Sequence, residues 1–331
     1  MPYEPQHVDV RNLVLSPHKQ GAYGTALLDA KLTQHISFDA GAEGTIGKEW
    51  YTDADKAGKG HVFPTQRKVV KQDTGFKFPF ELNDFIAGWL GAWGMGKVVV
   101  VGPSPYTHTF TFDTTSNIVA VTTVYVEDGG GIKTKYPDLA IAEFELSGAE
   151  TGPVTGSATL MGSGRFTEVA IAALPPLTNE QLLLGSDTDI LLGAPGAPAS
   201  IKERVRQWSV KVSQGLEIHR APGHGLYATF TKRGIPRVSV SLVIAMPAAD
   251  DIRSLYLADT LQELQINTNS GAAAQCNLKF PGLYLSACAL GMNGTERVYQ
   301  VESDENAVIK NGVNDYFQMV VTNSTPAFLV V

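Results

Sequence analysis

Charge is scarce in this sequence. Only 18% of its 331 residues are Asp, Glu, Lys or Arg, where about a quarter is usual. The few charges lean acidic, with 33 Asp and Glu against 26 Lys and Arg, a net charge of -7. Gripping nucleic acid needs a surplus of Lys and Arg to meet phosphates, so the composition argues against that class. Cysteine is nearly absent. Cys276 and Cys288 cannot define a disulfide framework and match no metal-ligand spacing. They read as two small buried residues, with one disulfide left open. No apolar run reaches membrane-spanning length, and the N-terminus lacks the basic-then-apolar order of a secretory signal. Folding in a cytoplasm, without membrane insertion, is the expectation.

Catalytic motifs are also missing in any context that would let them work. Gly91 to Lys97 fits the letters of a phosphate-binding loop. That motif needs a strand before it and a helix after it, so that the helix N-terminus meets the phosphates. Here a helical pattern precedes and the strand-like Val98 to Val101 follows, with Val98 where a Mg²⁺-binding Ser or Thr belongs. The histidines, His7, His18, His35, His61, His108, His219 and His224, show no pair at the helical spacing of a zinc site. No Gly-x-Ser-x-Gly elbow is present. Glu143 and Glu145 alternate along a strand and point the same way. A hydrolytic dyad is one reading of them and a solvated or channel-lining face is another. The expectation is a protein that is not an enzyme, with no cofactor and no metal.

Glycine is abundant, at 33 residues. With so few charges, this suggests β-structure, many turns and surfaces covered by neighbours. The length suits two modules better than one core. Residues 1–20 read as an extended arm around Leu13-Val14-Leu15, followed by a short strand pair over residues 21–38. Asp39 to Val62 reads as a long glycine-rich, charged loop, and such loops are usually functional or disordered. At its middle stand Trp50 and Tyr51, followed by Asp53, Asp55 and Lys56. Exposed aromatics of this kind either anchor on a partner surface or fold back onto their own domain. Residues 176–200, rich in Pro and Gly, read as a linker.

The central stretch runs from Gly75 to Gly162. Phe76 to Leu82 alternates as a strand. Asn83 is a plausible N-cap for an amphipathic helix carrying Ile86, Trp89, Leu90 and Trp93, which Gly94 and Gly96 stop. Tyr106 to Phe112, a run through Phe144 and Leu146, and Val154 to Gly162 alternate again. The same order recurs later. Val238 to Met246 alternates, Asp250 or Asp251 caps a short helix with Ile252, Leu255 and Tyr256, and strands follow around 261–266, 276–280, 297–301 and 316–321. This predicts a duplication of architecture at low sequence identity.

Five pieces, in this order and spacing, resemble the tail tube proteins of long-tailed, siphovirus-like bacteriophages: Phe80-Glu81-Leu82, Gly88-Trp89-Leu90, Tyr106-Thr107-His108-Thr109-Phe110, Leu146-Ser147-Gly148 and Val154 to Gly162. The resemblance covers the first half directly and the second by analogy. It implies a mainly β protein of two tail-tube-like β-sandwich or barrel modules, each with a short flanking α-helix. The first spans 1–175 with its arm and its loop over 39–62; the second spans 201–331. Phe80, Glu81, Leu82, Trp89, Leu90, Tyr106, Phe110, Phe144, Leu146 and Gly162 would be the module signature and core. The family forms a virion tail, built in the host cytoplasm. Its subunits stack as rings around a tape-measure protein, are capped by tail terminator and tail-tip proteins, and conduct DNA non-specifically. Two modules imply a three-subunit ring with pseudo-sixfold symmetry, a single module a hexamer. Glu143 and Glu145 would face the lumen. The alternative from another class is a carbohydrate-binding β-sandwich or glycan-active enzyme, with Trp50 and Tyr51 as its aromatic platform.

Overall fold

Alternation of apolar and polar residues turns most of the chain into antiparallel strands. The computed structural model describes residues 10–52, 67–129, 131–178, 181–223, 225–246, 251–312 and 316–330. Its first half contains β1 (Val10–Leu15), β2 (Gln34–Ile36), β3 (Glu43–Thr52), β4 (Arg67–Glu81), α1 (Asp84–Met95), β5 (Gly96–Val101), β6 (Tyr106–Phe112), β7 (Thr122–Asp128), β8 (Lys133–Ala149), β9 (Thr155–Gly162) and β10 (Thr167–Glu168). The remainder contains β11 (Thr188–Gly193), β12 (Ala199–Ser200), β13 (Val205–Ser213), β14 (Glu217–His219), β15 (Phe230–Lys232), β16 (Arg237–Ala245), α2 (Asp251–Leu257), β17 (Gln262–Asn269), β18 (Gln275–Leu283), β19 (Ala287–Asn293), β20 (Glu296–Ser303) and β21 (Gln318–Asn323).

Two large sheets face each other as a β-sandwich. In the 12-stranded sheet, β3, β4, β9, β8, β13, β16, β20 and β19 lie side by side in that order. The long β8 has two successive partners, its first part pairing with β7 and its second with β13. The seven-stranded sheet runs β12-β11-β17-β18-β21-β6-β5. Each sheet therefore crosses from one half of the chain into the other. One apolar cluster joins Phe76, Phe78 and Phe80 to Leu242, Ile244, Phe280 and Phe317.

Helix α1 is held between the sheets, touching β8 on one side and β6 and β21 on the other. The Asn83 side chain caps it, accepting from the Ile86 N–H at 2.6 Å, and Gly96 ends it at φ 88°. The amphipathic expectation fails here, because all twelve residues are buried. Gly88, Gly91 and Gly94 make this burial feasible. A Cβ at these positions would lie 2.5 Å from Phe328, 2.4 Å from Phe110 and 2.6 Å from Phe144. The three rings pack directly on helix backbone.

Other expectations also change. Leu13, Val14 and Leu15 are fully buried, because β1 pairs with β7 and β2 of its own chain. Most of the described part of the expected 39–62 loop is the ten-residue strand β3. Within the expected linker, β11 pairs with β17, and Leu183, Ile190 and Leu192 enter the core. Strand β19 went unread, since Ala287, Ala289 and Gly291 give it little apolar signal.

Candidate functional site: sheet edges, a smooth face and a ribbon

The strand order within the long sheet repeats. β3-β4-β9-β8 is followed by β13-β16-β20-β19, and in each run the second strand leads towards a helix, α1 or α2. The buried series Thr74, Phe76, Phe78 and Phe80 on β4 corresponds to Val238, Val240, Leu242 and Ile244 on β16. The two runs are joined where β8 pairs with β13, with Leu146 opposite Val210 and Phe144 opposite Val212. All four side chains are buried. On the other face Lys211 reaches Glu143 at 3.0 Å.

Among the described residues the outer edges of this sheet carry no partner strand. β3 pairs only with β4, and β19 only with β20. Unpaired edges template the addition of further strands. Both also expose apolar side chains: Leu290 is 62% exposed, Met292 61% and Ile46 41%.

The sheet face turned away from the core is small and polar. One row across it reads Glu43, Lys77, Thr159, Glu143, Ser213, Arg237. A second reads Glu81, Thr155, Ser147, Ser209, Ser241, Glu302. Between them Glu145 stands opposite Lys211. These rows carry the carboxylates of Glu43, Glu81, Glu143, Glu145 and Glu302 against the cations of Lys77, Lys211 and Arg237. The surface is mildly acidic and otherwise mostly hydroxyls.

Beyond β9 the β3–β4 pair continues as a two-stranded ribbon, because β9 covers β4 only from Thr74 onward. Its base is braced by the Gln72 N–H, which donates to the Leu226 carbonyl at 3.1 Å, and by an Arg220–Asp73 ion pair. Near its far end Trp50 stands opposite Val69 and Tyr51 opposite Lys68. Both aromatics are about half exposed, and the Arg67 guanidinium lies 3.8 Å from the Trp50 ring centre. Asp53, Asp55 and Lys56 fall outside the described residues.

The remaining signature residues are interior or at strand ends. Phe80, Leu82, Trp89, Leu90 and Phe110 are buried, while Glu81 and Tyr106 are half-buried. Gly162 lies against Thr74, whose hydroxyl would be 2.6 Å from an added Cβ. Both cysteines are thiols, and burial pushes that of Cys276 up to about 12. No group of His, Cys, Asp or Glu among the described residues has the arrangement of a metal site. No helix of the described residues is long and apolar enough to cross a membrane.

The free edges and the face between them lay beyond sequence reading, because each depends on which strands end up adjacent. The one available signal was Leu290 and Met292, two large apolar residues alternating on a strand of small ones. No curated protein matches this chain. The sequence model of the family described as phage tail tube protein matches residues 21–304. That match spans most of a mainly β sandwich with two free edges, and the chain belongs to the phage tail tube protein family.

Proposed function

We propose that three copies of this structural virion protein close into a ring with pseudo-sixfold symmetry. The rings stack into the tail tube around a tape-measure protein, between tail-tip and terminator proteins, and the tube later conducts DNA. The observation that carries this reading is the β8–β13 junction, where two runs of identical strand order already join within one chain. Joining β19 to β3 of the next copy repeats that junction. With about 4.8 Å between strands, three sets of eight give a circumference of about 115 Å before tilt. Closure stops growth in the plane, and head-to-tail stacking remains open-ended. The hydroxyl-rich, mildly acidic face then lines the channel, with Glu143 and Glu145 on it. Its carboxylates keep the duplex off the wall, within a screening length of about 8–10 Å. Assembly takes place in the host cytoplasm.

The β3–β4 ribbon serves the contact between stacked rings. An isolated two-stranded ribbon is marginal in water, so it needs a neighbour. Trp50 and Tyr51 supply the anchoring area. Cryo-electron microscopy of purified, assembled protein tests the ring: three copies per layer are expected, and six copies per layer, or monomers alone, overturn it. Trp50→Ala with Tyr51→Ala tests the ribbon. The expected result is unchanged circular dichroism of the subunit with much shorter tubes; tubes of normal length overturn the assignment.

A further inference from the structure

The internal repeat fixes more than the fact of edge pairing; it fixes the register. Phe80 and Ile244 are equivalent on β4 and β16. Phe80 pairs with Gly156, and Gly156 with Leu146 of β8. Ile244 pairs with Tyr299, and Tyr299 with Leu290 of β19. Leu290 is therefore the counterpart of Leu146. The same steps from Phe78 and Leu242, through Ala158 and Val301, make Cys288 the counterpart of Phe144. On the other edge, Gly44 and Ile46 pair with Phe76 and Thr74, as Val210 and Val212 pair with Val240 and Val238. Gly44 and Ile46 thus stand for Val210 and Val212.

Inside the chain Val210 faces Leu146 and Val212 faces Phe144. We propose that β19 of one copy and β3 of the next pair antiparallel with Leu290 opposite Gly44 and Cys288 opposite Ile46. This rests on the ring reading above. The exposures agree with it. Leu146 is 0% exposed and Val212 1%, covered at the internal junction, whereas Leu290 is 62% and Ile46 41% exposed at the open edges. Gly44 contributes no side chain to the pair, since a Cβ there would lie 2.6 Å from the Tyr136 hydroxyl; Leu290 packs on that tyrosine instead. Met292, 61% exposed, falls opposite Ala42 by the same count. A slip of one residue would turn the apolar set into the channel, so the register is strongly specified.

Ile46→Cys places a second thiol opposite the native Cys288, and directly opposite residues come within disulfide range. Cys276, 2% exposed, stays inert. The test is mild oxidation of tubes assembled from this variant, followed by denaturing electrophoresis without reductant. The expected result is covalent dimers and trimers with nothing larger, and none from the unassembled subunit or after Cys288→Ser. Should Ile46→Cys fail to assemble, Ala42→Cys with Met292→Cys in a Cys288→Ser background reads the same register. Intact tubes that cross-link instead from Lys48→Cys, or from Ala42→Cys with Leu290→Cys in the Cys288→Ser background, or from none of these, overturn the register and leave the tube reading standing. A wild-type protein that forms no rings overturns both.

Discussion

Helices α1 and α2 occupy the same place in two runs of strands, yet they are built differently. α1 has 12 residues, all buried, with aromatic rings seated on its glycines. α2 has 7 residues and buries only Ile252. Strand order is thus repeated while the interior is not. Pairing of backbone edges sets the order, and it tolerates different side chains above it. The filling depends on what else converges there. In the first half β6 and Phe328 close over α1; among the described residues nothing comparable covers α2.

The largest expected effect breaks that comparison at α1. Gly91→Val would drive a branched side chain into Phe110, and overpacking of this kind costs about 3 kcal/mol. A fall in the urea midpoint of the soluble subunit checks it; an unchanged midpoint would mean that the ring moves aside freely. Next is the brace that ties residues 20–24 to the first half. Asp138, fully buried, accepts from Gln20 and the Gly24 N–H through Oδ1, and from Ser163 and Arg165 through Oδ2. Asp138→Asn keeps the first oxygen and loses the second, for about 2 kcal/mol. Thermal melting of the variant reads that loss, and unaltered melting would show the brace to be dispensable.

A pH dependence sharpens the contrast. His108 on β6 is fully buried, with Nε2–H donating to the Thr325 carbonyl at 2.9 Å. Burial holds its imidazole below the ordinary 6.5. The unfolded chain therefore takes up a proton that the folded state refuses. Stability is full above about 6.5 and declines as pH falls through that value towards the lower folded one. Urea titrations at pH 7.5 and 5.5 measure the slope, and His108→Gln should flatten it. His18, lowered by burial and by nearby Lys31, contributes to the slope with the same sign. The smallest effect is expected at α2: Leu257, 68% exposed, should cost under about 0.5 kcal/mol as Leu257→Ala. A loss as large as that at Gly91 would erase the distinction between the helices.

Much of this was legible in the sequence. Asn83 and Gly96 bracket α1 because capping is a local matter of a side-chain oxygen and a left-handed backbone. Phe76, Phe78 and Phe80 announced a half-buried strand by their spacing. Within the expected loop, residues 43–52 form a strand instead, because glycines and charges suppress the strand pattern and β3 is held by its partner β4 and not by its own propensity; residues 53–62 fall outside the described residues. β19 was invisible for a related reason. Its small residues face the smooth side, and its large ones, Leu290 and Met292, are exposed.

By itself the sequence determined many of the local elements, α1 with its caps and the strand carrying Phe76, Phe78 and Phe80 among them, and the family. Each of these rests on interactions between residues close in the chain or on a pattern of side chains along it. Only the tertiary structure decided that the two runs fuse into one sheet across β8 and β13, and that β3 and β19 are left as its open edges. Adjacency of strands such as β8 and β13, whose paired residues stand 58 to 70 apart in the chain, is settled by competition among all pairings in a shared core, and no single stretch of sequence contains that competition.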